Sequence, residues 1–244
     1  DPAAVWATVA ALRLGHRVNT SVPQGLLSLV GDERPRYAVI DVGTNSVKFD
    51  QQIRVFGPNS IDVGMGIADI DFRAAPSITK ALQERMQHEN WGYLDLPASF
   101  MENIAGWNKR HYGVTIAPSQ MVITMGVHPG LIATLKTFSP KGSKVLLQTP
   151  TYNGFYGDLT ASQTLAEEVP LKLVNGTFQM DFDAFEKQIS VDTNSFILCN
   201  PQNPTGNCWS QEDLLRIGEI CLKHRVVVLA DRDGIEAVSM RRLG

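Results

Sequence analysis

Long apolar runs are missing from this sequence. No stretch reaches the ~20 residues that a membrane-spanning helix needs. The nearest, Pro2 to Leu14, is too short, carries Arg13 and lacks the basic start of a signal peptide. Basic runs are missing as well. A net charge of −3 with no Lys/Arg cluster argues against a nucleic-acid binder. Cysteine is scarce: Cys199, Cys208 and Cys221 have no metal-ligand spacing. An odd count without a secretory segment fits a reducing cytoplasm. Internal repeats and low-complexity tracts are absent too. What is present is an ordinary globular composition, 43% hydrophobic and 19% charged over 244 residues. That can bury a sizeable core, as one large domain or two small ones.

The densest signal is Ser195-Phe-Ile-Leu-Cys-Asn-Pro-Gln-Asn-Pro-Thr-Gly206. Phe196 to Cys199 reads as a buried strand, and the Asn-Pro pairs that follow read as a turn. Asn203 is thereby presented at the carboxyl end of a strand, the edge where open α/β sheets bind ligands. A second apolar run, Val226 to Ala230, ends in Asp231. An Asn and an Asp thus close two strands separated by one helix, and both can point into one crevice.

The remaining elements follow from periodicity and breakers. Residues 4–14 read as a short helix, and Val22 to Gly25 as a turn. Pro76 to His88 is an amphipathic helix with Ile78, Leu82 and Met86 in its stripe. Residues 98–112 form another, with Phe100, Ile104 and Trp107. Met121 to Met125 is predicted as a strand running into Gly126-Val-His-Pro-Gly130 and a helix from Leu131 to Phe138. A strand, a Gly turn and a helix start make an anion site from free amides and the positive helix end. Lys144 to Gln148 is the next strand, ending at Thr149-Pro-Thr-Tyr152. A helix starts in 153–163, a strand covers 167–173, and Asn175-Gly176 is a hairpin turn. Asp181 to Ile189 is a helix with acidic residues at its start. Ser210 with Asp213 has cap spacing for a helix from Leu214 to His224. Strands alternating with helices from 121 to 231 predict an α/β fold with a mostly parallel, multilayer sheet and right-handed crossovers.

The Asn-Pro-x-Asn-Pro-Thr-Gly run, the later strand ending in Ala230-Asp231, and Thr149-Pro-Thr-Tyr152 together resemble the fold-type I enzymes that depend on pyridoxal 5′-phosphate (PLP). The resemblance covers about residues 53–231. It is closest to class I/II aminotransferases of the cystathionine β-lyase-like, C–S lyase branch. It implies the large domain of that fold, PLP as cofactor, a small amino-acid substrate and a homodimer. It also implies roles for named residues. The backbone of Gly126, Val127 and His128 would hold the phosphate, and Tyr152 would stack on the ring. Asn203 would bind the ring's phenolic oxygen and Asp231 would keep its nitrogen protonated. Tyr93, in Trp91-Gly92-Tyr93, would reach the partner subunit's phosphate. Ile61 to Phe72 resembles the segment that lines the substrate end of the site.

The family's Schiff-base lysine lies beyond the Asp, and no lysine follows Lys223 in this sequence. The catalytic residue is therefore unassigned. Residues 1–49 and 232–244 read as foreign to the core, and the chain, opening on Asp1, reads as truncated, spliced or chimeric. Arg36 to Phe49 is expected to be two strands around a polar Gly turn. It weakly resembles the phosphate loop of exopolyphosphatases and actin-like ATPases, with Gly43, Thr44 and Ser46 as phosphate contacts. Three readings stand: a PLP-dependent lyase or aminotransferase, a non-catalytic remnant of that fold, and a phosphohydrolase using Asp41 to Ser46.

Overall fold

The computed structural model describes residues 43–58, 67–69, 74–231 and 238–241. The expected helix at 4–14, the turn at 22–25, the first strand of the 36–49 pair, most of Ile61 to Phe72 and the greater part of the 232–244 tail lie outside the described residues. The chain divides into one unit up to Asp95 and a second from Leu96.

In the first unit the expected second strand, Val47 to Phe49, is instead a π-helical turn, Val47–Gln51, running into α1 (Gln52–Phe56). Ser46 explains the difference. Its side-chain oxygen accepts the Phe49 amide at 3.1 Å, a local bond that starts a helix and competes with an extended chain. α2 (Pro76–Met86) begins on Pro76, whose missing N–H costs nothing at a helix start. Its stripe of Ile78, Leu82 and Met86 is present and solvent-exposed.

The second unit opens with α3 (Ala98–Tyr112), which stops at Gly113 in the left-handed region. α4 (Val127–Phe138) follows, then β1 (Lys144–Thr149), α5 (Gly154–Ser162) and β2 (Leu165–Pro170). β3 (Lys172–Val174) and β4 (Thr177–Gln179) form an antiparallel hairpin. Its turn residues, Asn175 and Gly176, both have positive φ, as the dipeptide requires. α6 (Phe182–Gln188), β5 (Thr193–Cys199), α7 (Gln211–Lys223), β6 (Val227–Asp231) and β7 (Val238–Arg241) complete the unit. α7 is capped as its sequence predicts: Ser210 accepts the Asp213 amide, and Asp213 accepts the Ser210 amide.

Five strands form one sheet in the order β2-β1-β5-β6-β7. β1, β2, β5 and β6 are parallel, and β7 joins antiparallel to β6. Alternate residues of the buried strands supply two cores. Leu146, Phe196 and Leu198 pack with Phe185, Ile217 and Cys221 under α6 and α7. Val145, Leu147, Ile197, Cys199 and Leu229 pack with Leu131, Leu135, Phe155 and Leu159 under α4 and α5. The product is a three-layer α/β/α unit.

Met121 to Met125, expected as a strand, is not one. Met121 is extended, yet among the described residues no strand pairs with the segment, and Val122 and Met125 are exposed. An apolar run favours a strand only where a neighbour completes its ladder.

The topology fixes where a ligand can sit. From β1 the chain crosses to β2 over the α5 face. From β5 it crosses the opposite way to β6 over the α7 face. Right-handed crossovers demand that reversal. It leaves a switch point between β1 and β5, where the loops leaving the two strands part and open a crevice at the carboxyl edge.

Candidate active site at the switch point

Three sequence-predicted residues sit at this edge. Tyr152 lies just past β1, Asn203 in the turn past β5, and Asp231 at the last position of β6. The register places Cys199 beside Asp231, so β5 and β6 end level. The Asn200 amide donates to the Asp231 carbonyl at 3.0 Å, tying the start of the Asn-Pro turn to the end of β6. Trp209 fastens the other side: its indole N–H donates to the Cys199 carbonyl at 3.0 Å, and its amide to Asn200 Oδ1 at 3.1 Å. Gln202, a residue that sequence reasoning did not single out, bridges the crevice floor. Its side-chain amide donates to the carbonyls of Gln148 at 3.0 Å and Pro150 at 2.7 Å, and it is almost wholly buried.

The 126–128 turn meets the β1 end. Gly126 has φ 118° and ψ 171°, a conformation that essentially only glycine adopts. It turns the chain so that α4 starts at Val127. The Val127 and His128 amides have no intrahelical acceptor by position, and Pro129 has no N–H at all. No acidic side chain occupies the first turn of α4. This end of the helix is built to receive an anion.

His128 touches Tyr152: its Nε2 lies 3.4 Å from the phenolic oxygen, and the two rings are tilted 31° with centroids 5.8 Å apart. Phe155 meets the Tyr152 ring edge-on at 5.4 Å. On its other side His128 Nδ1 donates to both oxygens of Asp158, at 2.9 and 2.8 Å. Asp158 was not anticipated, although a signal existed. It shares the buried face of α5 with Phe155, Leu159 and Ser162, where an acid is out of place unless paired. Gly154 makes room for the group. A Cβ there would fall 2.4 Å from the Tyr152 ring and 2.8 Å from His128 Cε1.

Tyr93 belongs to the first unit and is fully exposed. The Gly43 turn behaves differently from an open phosphate loop. The Gly43 amide donates to Asp50 Oδ1 at 2.8 Å and the Ser46 amide to Asp50 Oδ2 at 3.0 Å. Hydrogen bonds from the Gly43, Ser46, Asn45 and Thr44 amides, that of Gly43 foremost, hold the Asp50 carboxyl below the usual carboxylate range. The chain fills this amide cradle with an anion of its own. Among the described residues no cluster of His, Cys, Asp and Glu could hold a metal ion.

A doubly wound sheet with an amide-lined helix start and an aromatic, an amide and an acid on neighbouring strand ends defines a class of cofactor-dependent α/β enzymes. This chain belongs to the aminotransferase class I and II family, whose model matches residues 60–232. Among curated relatives it is 36% identical over 191 residues to cystathionine beta-lyase PatB of Bacillus subtilis, covering 78% of this chain and 49% of that one. It is 29% identical over 199 residues to protein MalY of Escherichia coli, covering 80% of this chain and 50% of that one. Among solved structures, the PLP-bound C-S lyase from Staphylococcus hominis matches with a TM-score of 0.71 and 26% identity, over 82% of this chain and 53% of that one. The chain spans about half the length of the curated relatives it matches. No helix among the described residues is long and apolar enough to cross a membrane.

Proposed function

We propose that this chain carries the cofactor-binding half of a PLP-dependent amino-acid enzyme, a C–S β-lyase in preference to an aminotransferase. One observation carries this reading. The glycine-led start of α4 touches Tyr152 through His128, on the same sheet edge that ends in the Asn203 turn and Asp231. The preference for a lyase rests on the likeness to the Bacillus subtilis and Staphylococcus hominis proteins.

The residues present fit PLP. Gly126 with the Val127 and His128 amides offers a seat for a phosphate dianion, because the helix end is positive and holds no acid of its own. Tyr152 offers a flat face already braced by Phe155. Asn203 is a donor for the ring's phenolic oxygen, and Asp231 an anion to keep the ring nitrogen protonated. PLP, when bound, supplies an electron sink for charge developing at the amino acid's Cα. The protein's part is to bind and orient the ring, and Asp231 holds the proton at the pyridine nitrogen. We further infer a homodimer in which Tyr93 reaches the partner's phosphate, a small amino-acid substrate and a cytoplasmic setting, the last in keeping with three free thiols.

The test is titration of the purified chain with PLP, followed by cofactor absorbance and tryptophan fluorescence. Saturable binding that weakens at least tenfold in Asp231→Ala and in Tyr152→Ala is expected, about the loss of one charge-assisted bond or one ring contact. No binding, or binding indifferent to both substitutions, would sink the reading.

A further inference from the structure

We propose that His128, held by Asp158, is the positioning residue for Tyr152: it fixes the plane of that ring and accepts the phenol's hydrogen bond, so the hydroxyl offers only lone pairs to the crevice. This deepens the reading above and rests on it for the identity of the ligand.

Asp158 sets the problem. Its side chain is 5% exposed on a helix face that otherwise packs apolar side chains. A carboxyl in that place is costly unless fully partnered. Leu or Val would fill the face without the cost, so simple packing does not account for it. Both its oxygens reach Nδ1 of His128. A carboxylate there demands the proton on Nδ1, which leaves Nε2 as an acceptor in the neutral ring. Nε2 faces the Tyr152 hydroxyl at 3.4 Å, a long contact whose only available donor is then the phenol. Gly154 completes the argument. A Cβ at that position would collide with Tyr152 and His128 together, so the backbone is reserved for this pair. Phe155 supports the Tyr152 ring edge-on, and His128 meets it from another side.

The chemical consequence is a matter of polarity. A tyrosine whose proton is committed to His128 presents an oxygen that accepts. The group it suits is a donor, such as the ammonium of an incoming amino acid.

The experiment has a cofactor-free arm and a cofactor arm, both on the full chain. In the first, the chain is labelled with ¹⁵N-histidine and separately with 3-fluorotyrosine at position 152. The wild type should show neutral His128 as the Nδ1–H tautomer, and Asp158→Asn should lose that preference. The fluorine resonance at 152 should be displaced from its wild-type position in His128→Phe, a variant at a half-exposed position, and in Asp158→Asn. An identical fluorine signal in wild type, His128→Phe and Asp158→Asn overturns the proposal. In the second arm, PLP affinity should fall about fivefold in each single variant, the change that one lost hydrogen bond carries. The double variant should be no weaker than either alone, because the residues act as a unit. Equal affinity in all four proteins overturns the positioning role. The expected fluorine displacement together with a wild type that takes no PLP sinks the cofactor reading and leaves the positioning of Tyr152 standing.

Discussion

Two glycine turns in this chain offer amides to an anion, and they end differently. At Gly43 the amides close on the chain's own Asp50. At Gly126 they open a helix of twelve residues with no acid in its first turn. Both look alike as short polar strings around a glycine. The difference is a single carboxylate within reach. An amide cradle is a ligand site only when the chain does not supply the ligand itself, and the sequence outside the motif decides that.

Substitutions can break this comparison. The largest effect should come from Gly126→Val, which forces a branched side chain into a backbone region suited to glycine. It should cost roughly 1–3 kcal/mol of stability in urea denaturation and abolish PLP retention. Normal PLP retention in that variant would show that the α4 start is not the seat. Gly154→Ala should follow, destabilising by ~1–3 kcal/mol through overpacking against Tyr152 and His128. Gly157→Ala, three residues along the same helix with open space around it, is its control and should stabilise by ~0.5–1 kcal/mol. If the two variants melt alike, the crowding at Gly154 has no energetic weight.

Asp50→Asn tests the other turn and should leave PLP affinity unchanged. Its effect is on acid stability. The Asp50 carboxyl is held below its ordinary range by amide bonds, so it contributes stability above that range and loses it as pH falls through the depressed value. The wild-type acid limb should therefore be steeper than that of Asp50→Asn in pH-jump unfolding. Smallest of all should be Glu186→Gln. Lys223 and then His224 hold the Glu186 carboxyl low, and the pair is half exposed, so the same limb should flatten only slightly.

Much of the fold was legible because its signals are local. The Ser210–Asp213 box, the Asn175-Gly176 hairpin and the apolar run Phe196 to Cys199 each depend on residues within a turn or a strand. The misses are pairings between distant segments or competitions within one. Met121 to Met125 has a strand's composition and no neighbour. Val47 to Phe49 lost its extended form to a hydroxyl one residue upstream. At the site, the order of Tyr152, Asn203 and Asp231 along one edge follows from alternating strands and helices. The Asp158–His128 pair spans thirty residues, and its only trace was an acid among apolar neighbours.

Gln202 has a mechanical meaning. One side-chain amide holds two carbonyls from the far side of the switch point, so the floor behaves as a hasp closed across two leaves of the sheet. The Tyr152 loop and the Asn203 turn cannot drift apart without breaking both bonds together. Whatever enters this crevice meets a base that does not yield, and any breathing needed for entry and exit falls to the walls.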